Sequence, residues 1–173
     1  MKKIVKSKEE AVVDHFKNLF NNWGVKYYLQ TDSINSEIDT ALATAPSKGG
    51  GSGLNRPDLR VMLQTSAGVI PVMIEAKGTK GKLVKFSNSE IDNTKPANVK
   101  NYAVNGAVHY GLALKDTSYK TVLCIGINGY EENDSLTTEF EIYVLSEKNF
   151  WIPKKLEAKN LSFLSSTHEK LLL

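Results

Sequence analysis

The fold of this chain is decided by the sequence Arg56-Pro57-Asp58-Leu59-Arg60-Val61-Met62-Leu63-Gln64 and by Val69-Ile70-Pro71-Val72-Met73-Ile74-Glu75-Ala76-Lys77, which follows it. The second stretch is an apolar run of strand length that is rich in β-branched residues, which indicates a strand buried on both faces. Between the two, Thr65-Ser66-Ala67-Gly68 predicts a hairpin turn. We therefore expect two antiparallel strands in the core of an α/β domain.

Charged side chains lie at the ends of these predicted strands, where a core strand would ordinarily carry apolar residues. Glu75 and Lys77 are two residues apart, so both project from one face of the strand, with Ala76 on the other. A hairpin brings the start of its first strand beside the end of its second. Asp58 is therefore expected to approach Glu75 and Lys77.

This cluster has two interpretations. Two neighbouring carboxylates repel each other unless a cation lies between them, and oxygen ligands favour a hard ion such as Mg²⁺. Lys77 would then orient an attacking water or stabilise charge on a phosphate oxygen. The alternative is a solvated salt bridge at the strand ends, worth about 0–1 kcal/mol.

The same residues resemble a known signature. Pro57-Asp58 and Glu75-Ala76-Lys77 are similar to the Pro-Asp…(Asp/Glu)-x-Lys motif of the restriction-endonuclease-like nuclease superfamily. The resemblance implies an α/β fold of the restriction-endonuclease type, with a mixed central β-sheet flanked by α-helices. It also implies Mg²⁺-dependent hydrolysis of DNA, with Mn²⁺ as an alternative ion. Asp58, Glu75 and Lys77 are then the catalytic residues, and Asp58, Glu75 and the carbonyl of Ala76 are the metal ligands.

Residues 95–111 are predicted to form a helix with Pro96 in its first turn. One face is a stripe of mostly small residues that would lie close against a sheet: Val99, Ala103, Gly106, Ala107, Tyr110 and Leu114. A second stripe is polar and contains no acid: Asn98, Tyr102, Asn105 and His109. This second stripe suits contact with DNA phosphates or bases, although a solvated helix face is the default interpretation.

This helix carries two further resemblances. Asn98 and Tyr102 are spaced as in the Gln-x-x-x-Tyr motif of RecB-like nucleases and of type I restriction motor subunits, with Asn in place of Gln. The sequence from Tyr102 to Tyr110 is similar to a helix in the amino-terminal nuclease domains of fused restriction-modification enzymes, including type IIG enzymes. The latter is the most specific family that the residues indicate.

A helix from about residue 33 to residue 44 is predicted upstream, because it must end before Pro46. Glu37 borders its apolar stripe, whereas Asp39 points away from it. The resemblance implies that an early-helix glutamate adds to the metal site, and Glu37 is the candidate. A surface pair between Glu37 and a lysine is the alternative, and Glu10 is a rival for the same role.

Basic residues flank the predicted site. Lys80 and Lys82 lie in a glycine-containing loop directly after Lys77, and Arg56 ends the glycine-rich segment 46–56. Such cations would neutralise DNA phosphates and make binding salt-dependent. A solubilising loop and a passive linker are the alternatives for the two segments.

Composition gives the outer bounds. A chain of 173 residues with a formal net charge of +3 predicts one domain and does not by itself indicate nucleic-acid binding. A lone cysteine, Cys124, excludes an internal disulfide, and no signal peptide or membrane-length apolar run occurs. A cytoplasmic protein with no membrane partner is therefore expected.

The hypothesis is that residues 1–173 form a single nuclease domain of a type IIG or type I-like restriction-modification enzyme. Its partners would be double-stranded DNA and the methyltransferase, target-recognition and helicase regions of a longer chain, with dimerisation where both strands are cut. Two alternatives stay open: a RecB-like repair nuclease acting on ends, and a non-catalytic DNA-binding domain with the same fold.

Overall fold

A computed structural model describes residues 8–46 and 55–165 as an α/β sandwich. Its elements, in chain order, are α1 (Lys8–Trp23), β1 (Tyr28–Leu29), α2 (Ser36–Thr44), β2 (Leu59–Thr65), β3 (Gly68–Lys77), β4 (Phe86–Ser87), β5 (Glu90–Ile91), α3 (Pro96–Asn101), α4 (Ala103–Leu112), β6 (Thr121–Glu132), β7 (Ser135–Ser146) and β8 (Lys154–Leu156).

The central sheet is mixed, with strand order β1-β2-β3-β6-β7-β8. Strands β3 and β6 are parallel, whereas every other neighbouring pair is antiparallel. Thr65 pairs with Gly68, so the hairpin predicted between the first two long strands is confirmed. The parallel connection between β3 and β6 carries the small β4–β5 hairpin and helices α3 and α4.

Helices cover the two faces of this sheet unequally. Helix α1 packs through Val12, Phe16 and Phe20 on one face, against alternate residues of the central strands. Helices α2 and α4 cover the other face, where Met73 and Cys124 project into a second core cluster. The expectation of a mixed central sheet flanked by helices is confirmed.

The helix predicted over residues 95–111 is two helices. Tyr102 has extended backbone angles (φ −120°, ψ 136°) and separates α3 from α4. The N–H groups of Ala103 and Val104 donate instead to the carbonyls of Lys82 and Leu83, at 3.0 and 2.8 Å. The preceding loop therefore takes up the donors with which a continuous helix would have bonded its own previous turn.

The predicted small-residue stripe is confirmed as the buried side of these helices. Val99, Ala103, Ala107, Tyr110 and Leu114 are all buried. A methyl group added at Gly126 of β6 would lie 2.5 Å from the backbone nitrogen of Val104, so α4 lies directly against the sheet. Within the described residues, no helix is long and apolar enough to cross a membrane.

Helix α2 begins later than predicted, at Ser36. Asn35 precedes it with extended angles, and its Oδ1 accepts the N–H of Ile38 at 2.9 Å. This cap fixes the start of the helix, because an asparagine side chain satisfies one of the otherwise unpaired donors of the first turn. The glycine-rich segment 46–56 falls largely on residues 47–54, which lie outside the described residues.

Candidate active site

Asp58 and Glu75 are joined by reciprocal hydrogen bonds at the start of β2 and the end of β3. The N–H of Asp58 donates to Oε1 of Glu75 at 3.1 Å, and the N–H of Ala76 donates to Oδ2 of Asp58 at 2.9 Å. Leu59 pairs with Ile74, so the antiparallel register places Asp58 opposite Glu75. The structure therefore brings these two carboxylates together, as the hairpin predicts.

Pro57 affects the hydrogen bonding of the carbonyl of Ala76. Continuing the same register by one residue places Pro57 opposite Ala76. The N–H of Ala76 faces the Asp58 side, and in an extended strand the carbonyl of a residue faces the same edge as its N–H. Proline has no N–H with which to continue the ladder. The carbonyl of Ala76 is thus directed towards Asp58 at a position where the opposite residue cannot donate to it.

The carboxylate of Glu75 is held beneath helix α4. Glu75 is only 2% exposed. A methyl group added at Gly106 would lie 3.1 Å from Oε2 of Glu75 and 3.2 Å from the carbonyl of Val99. Ala76 belongs to the core cluster on the opposite face, which confirms that Glu75 and Ala76 point to different sides of β3. Gly106 therefore leaves the space that this carboxylate occupies.

Lys77 contacts helix α1. Its side chain is 15% exposed, and Nζ lies 3.9 Å from Oε2 of Glu9. Sequence reasoning missed this pairing, because Glu9 lies more than sixty residues away in the chain and only the fold brings it near. A cleft of about 590 Å³ lies beside these residues and is lined by Glu9, Glu10, Val13, Asp14, Leu29, Gln30, Thr31 and Asp58.

The donor set of this site suits a hard cation only if backbone oxygen takes part. No group of three or more His, Cys, Asp and Glu side chains in residues 8–46 and 55–165 is arranged to hold a metal ion. Asp58, Glu75 and the carbonyl of Ala76 offer two carboxylates and one neutral oxygen, which fits Mg²⁺, because that ion commonly keeps several waters and needs few protein ligands.

Glu37 lies at a different place. Its Oε2 accepts the N–H of Ser118 at 2.9 Å, and its Oε1 accepts the hydroxyl of the same serine. These two bonds hold the pKa of Glu37 below its ordinary value. Ser118 lies before the first residue of β6, Thr121. Glu75 lies opposite Gly126, which is five residues further along β6 than Thr121. That separation is about 16 Å along the strand. The expectation that Glu37 joins the metal site is corrected, and its rival Glu10 lines the cleft with Asp58.

Arg56 belongs to an ion cluster beneath the start of β2. Its Nη1 donates to the carbonyl of Asp32 at 2.9 Å, and its Nη2 lies 3.9 Å from Oδ1 of Asp39. Arg60 is fully buried, lies 3.9 Å from the same oxygen and donates to the carbonyls of Leu29 and Asp32. Arg56 is thus held by internal contacts, and its contact with DNA stays a prediction.

Asp39 was expected to point away from the core, but it is the acid of this cluster. Burial raises the pKa of Asp39, and the bonds from Ser33 and Ile34 with the charges of Arg56 and Arg60 outweigh that effect, so the pKa lies below its ordinary value. A possible sequence signal was Arg60 itself. An arginine inside an apolar strand requires a partner, and only the tertiary fold identifies which acid supplies it.

The two predicted DNA-contacting asparagines are buried. Asn105 is 0% exposed, and its Oδ1 accepts the N–H of Lys85 at 2.9 Å while its Nδ2 donates to the carbonyls of Lys85 and Asp92. Asn98 donates to the same carbonyl of Asp92 at 3.0 Å. These side chains bind the chain's own loop. Their predicted contact with DNA is therefore corrected.

The remaining predicted DNA contacts lie nearer the surface. Nζ of Lys82 lies 4.8 Å from the ring centroid of Tyr102, and Nζ of Lys80 lies 3.5 Å from a carboxylate oxygen of Glu132. His109 is partly exposed and its Nε2 lies 2.8 Å from the carbonyl of Pro46, beyond the end of α2. DNA contact by Tyr102, Lys80, Lys82 and His109 stays a prediction, and His109 also contacts the backbone of Pro46.

Comparison with known proteins gives a relationship that covers most of this chain. The sequence is 34% identical over 141 residues to the type II restriction enzyme and methyltransferase RM.BcgI of Heyndrickxia coagulans, and the match covers 80% of this chain. The chain spans about a fifth of that relative, since the match covers 20% of its length. No protein-family model matches, and no solved structure matches. The residues that form the Asp58 and Glu75 cluster thus occur in a chain that is similar to part of a restriction enzyme.

Proposed function

We propose that this chain is the Mg²⁺-dependent DNA endonuclease domain of a restriction-modification enzyme. The observation that carries the proposal is the reciprocal bonding of Asp58 with Glu75 and Ala76. It places two carboxylates and a backbone carbonyl at one strand end, with Lys77 as the next residue. The similarity to a restriction enzyme and methyltransferase supports DNA as the substrate.

Asp58, Glu75 and the carbonyl of Ala76 would hold the metal ion, and Mn²⁺ could replace Mg²⁺ because both accept oxygen ligands. When bound, the ion supplies Lewis-acid stabilisation of charge on the scissile phosphate. Lys77 would position the attacking water, and its neighbour Glu9 would restrict the place of its ammonium group. Glu10 lines the same cleft as Asp58, and its negative charge would attract the cation without being one of its ligands.

The proposal extends to the assembly. The matched relative carries restriction and methyltransferase activities in one chain, and this domain covers about a fifth of it. We propose that methyltransferase, target-recognition and helicase regions act with this domain. Two copies would cut both strands of a duplex, because one site hydrolyses one strand at a time.

The test measures metal binding and strand cleavage on the same samples. Wild type, Asp58→Ala and a control, Asp116→Ala at an exposed position after α4, are titrated with Mg²⁺ and Mn²⁺ by calorimetry and incubated with supercoiled plasmid. Binding and nicking should be lost in Asp58→Ala and kept in the control. Equal metal binding in all three, with no nicking by any of them, would show that the cluster is a salt-bridge network.

The same assay separates an endonuclease from a nuclease that requires ends. An endonuclease nicks the closed circle, whereas an end-dependent enzyme spares the circle and degrades its linearised form. We expect cleavage of the circle.

A further inference from the structure

The chain between the catalytic strand β3 and helix α4 forms a small hairpin whose role the proposed nuclease chemistry leaves open. Strands β4 and β5 pair Phe86 with Ile91 and Ser87 with Glu90. Asn88 and Ser89 form the turn with positive φ angles of 52° and 64°. Phe86 is 44% exposed, and the residues from 85 to 90 are all exposed. Little of this hairpin serves the core.

The hairpin is nevertheless fixed firmly to the domain. Fully buried Asn105 bonds to Lys85 before β4 and to Asp92 after β5. Asn93 donates to the carbonyl of Asn105 at 3.0 Å, and Asn98 donates to Asp92. The two ends of the hairpin are thus held by side-chain amides, of which Asn98 and Asn105 are buried. A buried amide has no water to bond to, so it would stay unpaired if it lost these partners. These bonds fix the position of the hairpin relative to the rest of the domain.

The hairpin is joined to the part of helix α4 that covers the proposed catalytic cluster. Asn105, which holds its legs, is adjacent in sequence to Gly106, and Gly106 is the residue that lies over the carboxylate of Glu75. At the other end, Gly78 directly follows Lys77 and leads into the same loop. A DNA strand that places a phosphate at Asp58 and Glu75 would therefore pass this element.

The segment around the hairpin carries a net positive charge. Residues 78–100 contain five lysines and two acids, Glu90 and Asp92, and so carry a net charge of +3. The whole chain also has a net charge of +3, so the remaining residues balance to zero. The cation excess of residues 78–100 lies around the hairpin and is complementary to a phosphate backbone.

Building on the proposed nuclease function, we propose that the β4–β5 hairpin enters the major groove of duplex DNA beside the cleavage site and fixes the duplex there. The major groove admits a two-stranded β-ribbon. Phe86 would contact thymine methyl groups, and the Ser87 to Ser89 turn would supply polar groups to base edges. The lysines of the loop, including Lys85, contact the flanking phosphates.

Binding is measured by fluorescence anisotropy with a short labelled DNA duplex in EDTA, so that cleavage plays no part. Phe86→Ala is compared with Leu136→Ala, which removes an apolar side chain of similar exposure, 39%, from β7 next to another left-handed turn at Asn133 and Asp134. We expect about tenfold weaker binding for Phe86→Ala and no change for Leu136→Ala. Calorimetric Mg²⁺ binding by both should equal that of wild type.

Salt dependence tests the contacts with phosphates, and a minor-groove competitor tests the contact with the major groove. Lys85→Ala should reduce the slope of log affinity against log salt by about 1, whereas Phe86→Ala should leave the slope unchanged. Lys120→Ala, an exposed lysine before β6, is the control for charge. Distamycin, which fills the minor groove, should not displace the protein, and displacement would overturn the assignment to the major groove.

The outcomes separate this inference from the nuclease proposal. If wild type nicks plasmid while Phe86→Ala and Lys85→Ala bind duplex as the controls do, the hairpin is not a DNA element and the nuclease function stands. If wild type binds duplex through the hairpin but neither binds Mg²⁺ nor nicks, the nuclease proposal fails and the hairpin assignment stands. A wild-type chain that binds no duplex overturns the hairpin assignment.

Discussion

Single residues decide what the cleft beside Asp58 can bind. Glu10 and Glu37 are both early glutamates on helices, yet Glu10 lines that cleft and Glu37 bonds to Ser118 at the other end of the sheet. We expect Glu10→Gln to weaken Mg²⁺ binding about tenfold, because loss of a nearby negative charge reduces attraction for the cation. Glu37→Gln is the matched control and should bind Mg²⁺ as wild type does in calorimetry. Equal affinities in the two variants would remove Glu10 from the site.

Gly106 offers a test that separates activity from stability. An added methyl group would lie 3.1 Å from Oε2 of Glu75, so the carboxylate must shift by a few tenths of an ångström. Alanine is also favoured over glycine within a helix by about 1 kcal/mol, which offsets the steric cost. Gly106→Ala should therefore lower plasmid nicking at least tenfold while the melting temperature changes by only a few degrees.

The comparison for Gly106 is Gly126→Ala, whose methyl group would lie 2.5 Å from backbone of α4 and cannot be relieved by a side-chain shift. Gly126→Ala should lose stability and activity together in a thermal melt followed by circular dichroism. Full nicking activity in Gly106→Ala would show that the position of Glu75 is not critical.

At the scale of elements, the ion cluster ties helix α2 to the start of β2. Asp39 of α2 lies 3.9 Å from both Arg56 and Arg60, which flank Asp58 on either side in sequence. Asp39→Asn should destabilise the protein by about 3 kcal/mol, because fully buried Arg60 loses its counter-charge. Urea unfolding measures the change, and Asp116→Asn, an exposed acid after α4, is the control. A change below about 1 kcal/mol would mean that the carbonyls of Leu29 and Asp32 satisfy Arg60 without the acid.

The same cluster predicts a pH dependence. Since the folded pKa of Asp39 lies below its ordinary value of 3.8, the unfolded state binds the proton more readily. The stability that Asp39 contributes is thus fully present above about pH 5 and is lost as pH falls through the folded pKa. Wild type should lose stability between about pH 5 and pH 2.5 more steeply than Asp39→Asn. Parallel curves for the two proteins would contradict this assignment.

Elements with a clear hydrophobic pattern could be predicted from the sequence, whereas contacts between elements could not. The continuous apolar run of β3 and the turn from Thr65 to Gly68 predicted the hairpin, and the hairpin predicted the meeting of Asp58 with Glu75. The break at Tyr102 left no local signal, because it results from Lys82 and Leu83 bonding to the first turn of α4. Asn105 was misread for a related reason: a polar residue on a helix predicts either solvent or a ligand, and a buried loop partner cannot be deduced from spacing.

At the scale of the whole molecule, metal binding should be coupled to folding. Asp58 and Glu75 are neighbouring carboxylates, so without a cation their repulsion destabilises the native state. Bound Mg²⁺ adds stability by mass action, about 2.7 kcal/mol at a hundredfold excess over Kd, which corresponds to a rise in melting temperature of roughly 5–10 °C in a chain of this size.

Asp58→Asn should reverse both effects. An asparagine can still accept the N–H of Ala76 through its carbonyl oxygen, so the strand ends stay joined while one negative charge is removed. We expect the variant to melt a few degrees above wild type in EDTA and to gain nothing from Mg²⁺, whereas Asp134→Asn should follow wild type under both conditions. A variant that melts lower than wild type in EDTA would mean that the Asp58 carboxylate is stabilised by cationic side chains, as in a salt-bridge network, and that the cluster is not built to receive a metal ion.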